Sequence, residues 1–169
     1  MKWTIIVLIM MSLIGSMMWV MPTPRQRFQS KLRLDARKYG FQVQLSHLTL
    51  PRAKGEVEPE TVSIPAYRLL RGDSVDRKER DLWIEWKVAR VEALANEGLP
   101  KGWAWIKGER TLSNRQLTWL SSALEAFPEE VVAVESSALH IMLYWREPER
   151  EGALDELHTH ANQFIQEVI

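Results

Sequence analysis

The chain has 169 residues, balances 22 basic against 22 acidic side chains, and contains no cysteine. The missing cysteine excludes disulfides, thiolate nucleophiles and cysteine-ligated zinc or iron–sulfur centres. The neutral total conceals a basic block, Arg25, Arg27, Lys31, Arg33, Arg37 and Lys38 against Asp35 alone, which leaves residues 41–169 net acidic; an acidic domain repels phosphate backbones, so no nucleic acid partner is expected.

No residue from Trp3 to Met21 is charged. A helix over this stretch, at about 1.5 Å per residue, spans roughly 28 Å, close to a hydrocarbon core of about 30 Å. The run ends Met-Met-Trp-Val-Met-Pro, with bulky residues where signal-peptide cleavage needs small ones. Residues 1–21 are therefore expected to form an uncleaved, single-pass transmembrane signal anchor in a bacterial inner membrane, with residues 3–21 in the bilayer. More Lys and Arg follow the span than precede it, so the positive-inside bias places the C-terminal domain in the cytoplasm.

Pro22 ends this first helix. Thr23-Pro24-Arg25-Gln26 reads as a new start: Thr23 as N-cap, Pro24 at the first helical position, and Gln26 closing a capping box. Phe28, Leu32, Ala36 and Tyr39 share one face, and Gly40 stands where a left-handed C-terminal residue is wanted. Residues 22–40 are thus a basic amphipathic helix beside the membrane. Its Arg25, Arg27, Lys31, Arg33, Arg37 and Lys38 are expected to contact anionic lipid headgroups.

Residues 41–169 read as one α+β domain. Alternation from Phe41 to Leu50 marks a half-buried strand, residues 51–61 a loop, and Val62 to Leu70 a second strand whose Pro65 points to an edge or a bulge. Arg71 to Arg80 is a polar connection with a turn at Gly72-Asp73-Ser74. Leu82 to Val91 has the clearest alternation and is expected to pair with the second strand as a hairpin, while Trp103 to Ile106 is short, apolar and ambiguous. Ser113 to Gln116 repeats the capping box ahead of a helix with Leu117, Leu120, Leu124 and Phe127 inward. Val131 to Val134 and Leu139 to Trp145 form a hairpin, and a helix from Ala153 to Val168 closes the chain. The expected order after the anchor is αβββαββα, an antiparallel sheet of about five strands covered by about three helices.

Signs of chemistry are sparse. His158 and His160 are two apart, which on a helix aims them about 200° from each other, so they share no metal ion. Ser136, Ser137 and His140 fall at a hairpin turn with no Gly-x-Ser-x-Gly pattern, and the late run of Glu147, Glu149 and Glu151 reads as a solvated loop. No phosphate-binding glycine loop occurs, and no cofactor, metal ligand or catalytic residue is assigned.

Of the tryptophans, Trp83 and Trp86 point to opposite sides of their strand. An exposed apolar strip around Trp83, Tyr67 and Pro65 is the expected partner surface. The expected function is a non-catalytic interaction or accessory domain of a bacterial inner-membrane assembly. The alternative is an envelope-facing enzyme or glycan binder that sets exposed tryptophans beside carboxylates.

Overall fold

A computed structural model describes residues 2–19, 22–55, 58–72 and 80–167. In chain order its elements are α1 (Lys2–Trp19), α2 (Pro24–Lys38), β1 (Gln42–Thr49), β2 (Thr61–Leu70), β3 (Trp86–Ala89), β4 (Ala104–Lys107), α3 (Asn114–Ala126), β5 (Val131–Ser136), β6 (His140–Trp145) and α4 (Ala153–Gln166). The fold is α+β. Its six strands form one antiparallel sheet in the order β1-β2-β6-β5-β3-β4.

Among the described residues no helix is long and apolar enough to cross a membrane. α1 runs for 18 residues, begins on charged Lys2 and carries Thr4, Ser12 and Ser16, whereas a span takes about 20 consecutive, predominantly apolar residues. Residues 20 and 21, the end of the expected anchor, lie outside the described residues. This finding overturns the transmembrane signal anchor over residues 1–21. It also removes the single-pass inner-membrane placement and the cytoplasmic orientation that rested on the anchor.

Local chemistry sets the helix ends. At α2, Thr23 Oγ1 accepts from the Gln26 amide and the Gln26 side chain accepts from the Thr23 amide. Ser113 and Gln116 repeat the exchange at α3. Such caps satisfy amides that have no partner within the helix, each contributing about 1 kcal/mol. α2 ends in a Schellman motif: Gly40 has φ +84°, its amide reaches Arg37 O, and the Phe41 amide reaches Ala36 O.

The main core lies between the sheet and α2, α3 and α4. Phe41, Tyr67, Trp86, Trp145, Leu120, Leu124, Leu157 and Phe164 are all essentially inaccessible there. Truncating a buried aromatic of this kind costs about 3–5 kcal/mol. The opposite face of the sheet carries a second cluster of Leu48, Ile64, Ala66, Ala89, Val132, Ala133, Met142 and Tyr144. It is covered by the β1–β2 hairpin itself: β2 pairs with β6 only from Ala66 onward, and beyond that point the hairpin bends over the sheet until the Lys54 amide bonds Glu92 O.

Several expected elements differ from the structure. The sheet gains a strand because the ambiguous stretch after Trp103 is β4, at one edge. The strand expected from Leu82 to Val91 is only Trp86–Ala89, because its neighbours β4 and β5 offer partners only over that length. β2 and β3 do not form a hairpin; β2 lies between β1 and β6, and β3 between β5 and β4. Pro65 does not mark an edge strand. It sits in an interior strand, at the position before β6 pairing begins, where its missing amide leaves no ladder bond to β6 unmade. The turn at residues 73–74 and the last expected helical residue, Val168, lie outside the described residues.

Candidate functional site

The basic residues of α2 divide between ion-paired and exposed positions. Arg33 Nε and Nη2 donate to the two carboxylate oxygens of Glu147, at 2.7 and 2.8 Å. Glu147 is buried, and Tyr67 OH donates to its Oε1 at 2.9 Å. Arg25 faces Glu149 at 3.8 Å and Lys38 bonds Asp35 at 2.7 Å. Arg27, Lys31 and Arg37 stay exposed, along with Leu34.

The Arg33–Glu147–Tyr67 group clamps α2 onto the sheet. Bonding to Glu147 holds the Arg33 guanidinium above its ordinary pKa. Burial, reinforced by the Glu147 charge, pushes the Tyr67 phenol well above its own. Glu147 reaches this position from the turn after β6, with a left-handed backbone at φ 52°, a conformation that costs a non-glycine residue about 1 kcal/mol or more. Tyr67 packs edge-on against Trp145 and Phe41. It is therefore core, and the partner-surface role expected for it has no accessible side chain to work with. Pro65 is half-buried.

Trp83 is also engaged internally. Its ring lies 4.4 Å from the Arg71 guanidinium. Arg71 is buried and donates to Ser137 O, to Phe164 O in the last turn of α4, and to Ser136 Oγ. Burial pushes its pKa down to about 10. Arg90 repeats the device, donating to Val131 O, Phe127 O and Pro128 O beside the end of α3 while stacking 4.7 Å from Trp103. Two arginines thus take up carbonyls near helix C-termini, where a cation is favoured. Either side of Trp83, Leu82 and Ile84 are exposed, the former by 81%.

A polar row crosses the sheet on the face away from the helices. Arg68, Met142, Glu135 and Lys87 are consecutive cross-strand neighbours on β2, β6, β5 and β3. Lys87 Nζ bonds Tyr144 OH at 2.7 Å and Glu135 at 2.9 Å, and Tyr144 OH donates to Glu135 Oε2 at 3.0 Å. Burial opposes both charges, but the mutual bonds outweigh it: the Lys87 pKa is raised and the Glu135 pKa lowered. Next in the row's vicinity, His140 Nδ1 contacts Ser137 Oγ at 2.9 Å. The same hydroxyl accepts from the Leu139 and His140 amides, so this pair shapes the β5–β6 turn. Burial and the charge of Arg68 lower the His140 pKa.

A concavity of about 660 Å³ separates α2 from the start of α4. Phe28, Leu32 and Leu154 give it an apolar floor; Lys31, Lys38, Arg150, Asp35, Glu149 and Asp155 form its rim. On the rim Lys38 pairs with Asp35 and Tyr39 OH donates to Asp155, while Arg150 and Glu149 pair outward with Glu156 and Arg25. The bond to Asp155 raises the Tyr39 pKa. The groove offers an apolar floor under a rim of mixed charge. Among the described residues no group of three His, Asp or Glu is placed to hold a metal ion.

Sequence reading missed Glu147, Arg71 and Arg90 as organising residues, because each depends on partners more than 30 residues away. The left-handed backbone of Glu147 had no signal in composition or spacing. No protein-family model matches the chain, and no curated protein or solved structure matches it either.

Proposed function

We propose that this protein is a non-catalytic interaction module, a folded α+β domain that presents α1 to a protein partner. The observation that supports it is the state of α1. Ile, Leu, Val and Met side chains are exposed on every side of this helix, and neither core cluster of the domain includes one of its residues. A helix apolar all round is stable when buried, and a contiguous apolar surface of this kind marks an interaction site. The domain completes its own two cores without α1, which leaves the helix available to a partner.

The glycan-binder alternative needs an exposed tryptophan beside a carboxylate. Trp86, Trp103, Trp105 and Trp145 are buried, Trp83 is half-buried against Arg71, and Trp119 is half-buried in a concavity that Glu167 also lines.

A photo-crosslinking residue in place of Ile9 in the full chain, used in the cells that make it, tests the reading. Discrete protein adducts are expected at position 9 and none at Arg52, which lies in an exposed loop. The same adducts at both positions, or no protein adduct at position 9, would overturn it.

A further inference from the structure

The two edges of the sheet differ in how they are protected. β4 has four residues, ends on Lys107, and pairs with β3 through an irregular register between Lys87 and Val88. Short length, lysine and bulges are the usual defences of an edge against further pairing. β1 has none of them. It runs Gln42-Val43-Gln44-Leu45-Ser46-His47-Leu48-Thr49, with no Lys, Arg, Asp, Glu or Pro, and matches β2 over eight consecutive residue pairs without a shift. Its outer edge has no strand beside it among the described residues. At its centre Leu45 is 70% exposed, on the strand face shared with Val43, which packs against the main core.

We infer that β1 pairs antiparallel with β1 of a second copy of this chain, extending the sheet across a two-fold axis. An isologous contact must be self-complementary, and this strand meets that condition. Opposed residues in an antiparallel ladder point to the same face, so a two-fold pairing must set a residue against its own copy at the centre. Centred on Leu45, the register places Leu45 against Leu45, Val43 against His47 and Gln44 against Ser46. The exposed leucine is then covered by its counterpart, and no like charges meet anywhere along the strand, since it has no Lys, Arg, Asp or Glu. The backbone amides and carbonyls on the open edge supply the ladder bonds. This contact is independent of α1 and goes beyond the interaction role proposed above.

The absence of native cysteine makes the test clean. Opposed residues have Cα atoms about 4.5–5.5 Å apart, within disulfide reach. The full-length Leu45→Cys chain, purified and mildly oxidised, is expected to form a covalent dimer. Thr49→Cys and Leu94→Cys stay monomeric under the same conditions. In the inferred register the two Thr49 residues lie roughly 27 Å apart, and Leu94 is 91% exposed in a loop. Equal crosslinking at positions 45 and 94 means unspecific association and overturns the inference. Monomer at position 45 also overturns it, and is the outcome if this edge takes another protein's strand instead. As a second arm, a Val43→Cys/His47→Cys chain crosslinks between copies, and adding Leu45→Lys reduces that crosslinking to the Leu94→Cys level with the far-UV spectrum unchanged. If crosslinking persists with lysines opposed at the centre, the register is wrong and the inference fails.

Discussion

Arg33 on α2 and Glu147 after β6 meet in a two-point ion pair, Nε to Oε1 at 2.7 Å and Nη2 to Oε2 at 2.8 Å, across 114 residues of sequence. The carboxylate is almost wholly buried, while the arginine keeps 42% of its side chain exposed. The pair therefore has a closed side and a wet side, and its two members respond differently to mutation.

Removing Arg33 leaves a buried carboxylate with Tyr67 as its remaining partner. Arg33→Met should destabilise the domain by about 3 kcal/mol, at the low end of the roughly 3–5 kcal/mol for unpairing a buried charge, because water reaches the arginine side. Arg33→Met with Glu147→Met and Tyr67→Phe removes all three polar partners together and should recover most of the loss. Urea unfolding of the single and triple variants decides it; a triple variant weaker than the single one contradicts this account.

Gly108 has φ +89°, and a Cβ there would stand 2.7 Å from Trp86 Cβ and 3.2 Å from Glu85 O. Trp86 is fully buried and cannot yield. Gly108→Ala should cost about 2–4 kcal/mol from backbone strain and overpacking together. Gly55, with φ +99° and no atom within 4 Å of such a Cβ, should lose less on the same change. Thermal unfolding of both variants compares them, and equal losses would show that Trp86 gives way.

The pKa of His140 lies below its ordinary value of 6.5, through burial and the nearby positive charge of Arg68 and Arg71, with Glu135 and Glu85 pulling the other way. The folded state therefore binds fewer protons at this site than the unfolded chain does. Stability from this site is present above about pH 6.5 and is lost as pH falls through the folded value. His140→Asn should flatten the change in unfolding midpoint between pH 7.5 and 5.5. A variant whose midpoint still falls as steeply as the parent's places the titration elsewhere.

Interval by interval, the sequence by itself determined what neighbouring residues decide. Thr23 with Gln26 and Ser113 with Gln116 set two helix starts, because a cap is completed within four residues. Gly40 set a helix end for the same reason, and the β5–β6 hairpin was legible from its short turn. Tertiary structure decided what depends on partners distant in sequence. The strand expected from Leu82 shrank to Trp86–Ala89 because β4 and β5 pair only there, and Pro65 fits an interior strand because β6 starts one residue later. Tyr67, read as a surface residue, is core because Glu147 and Trp145 close over it. The uncharged run after Lys2 is apolar by sequence alone, yet it forms a helix too limited to cross a membrane among the described residues. Alternation and capping are local free energies, whereas strand order, burial and the pairing of Arg33 with Glu147 arise only when remote segments exclude water together.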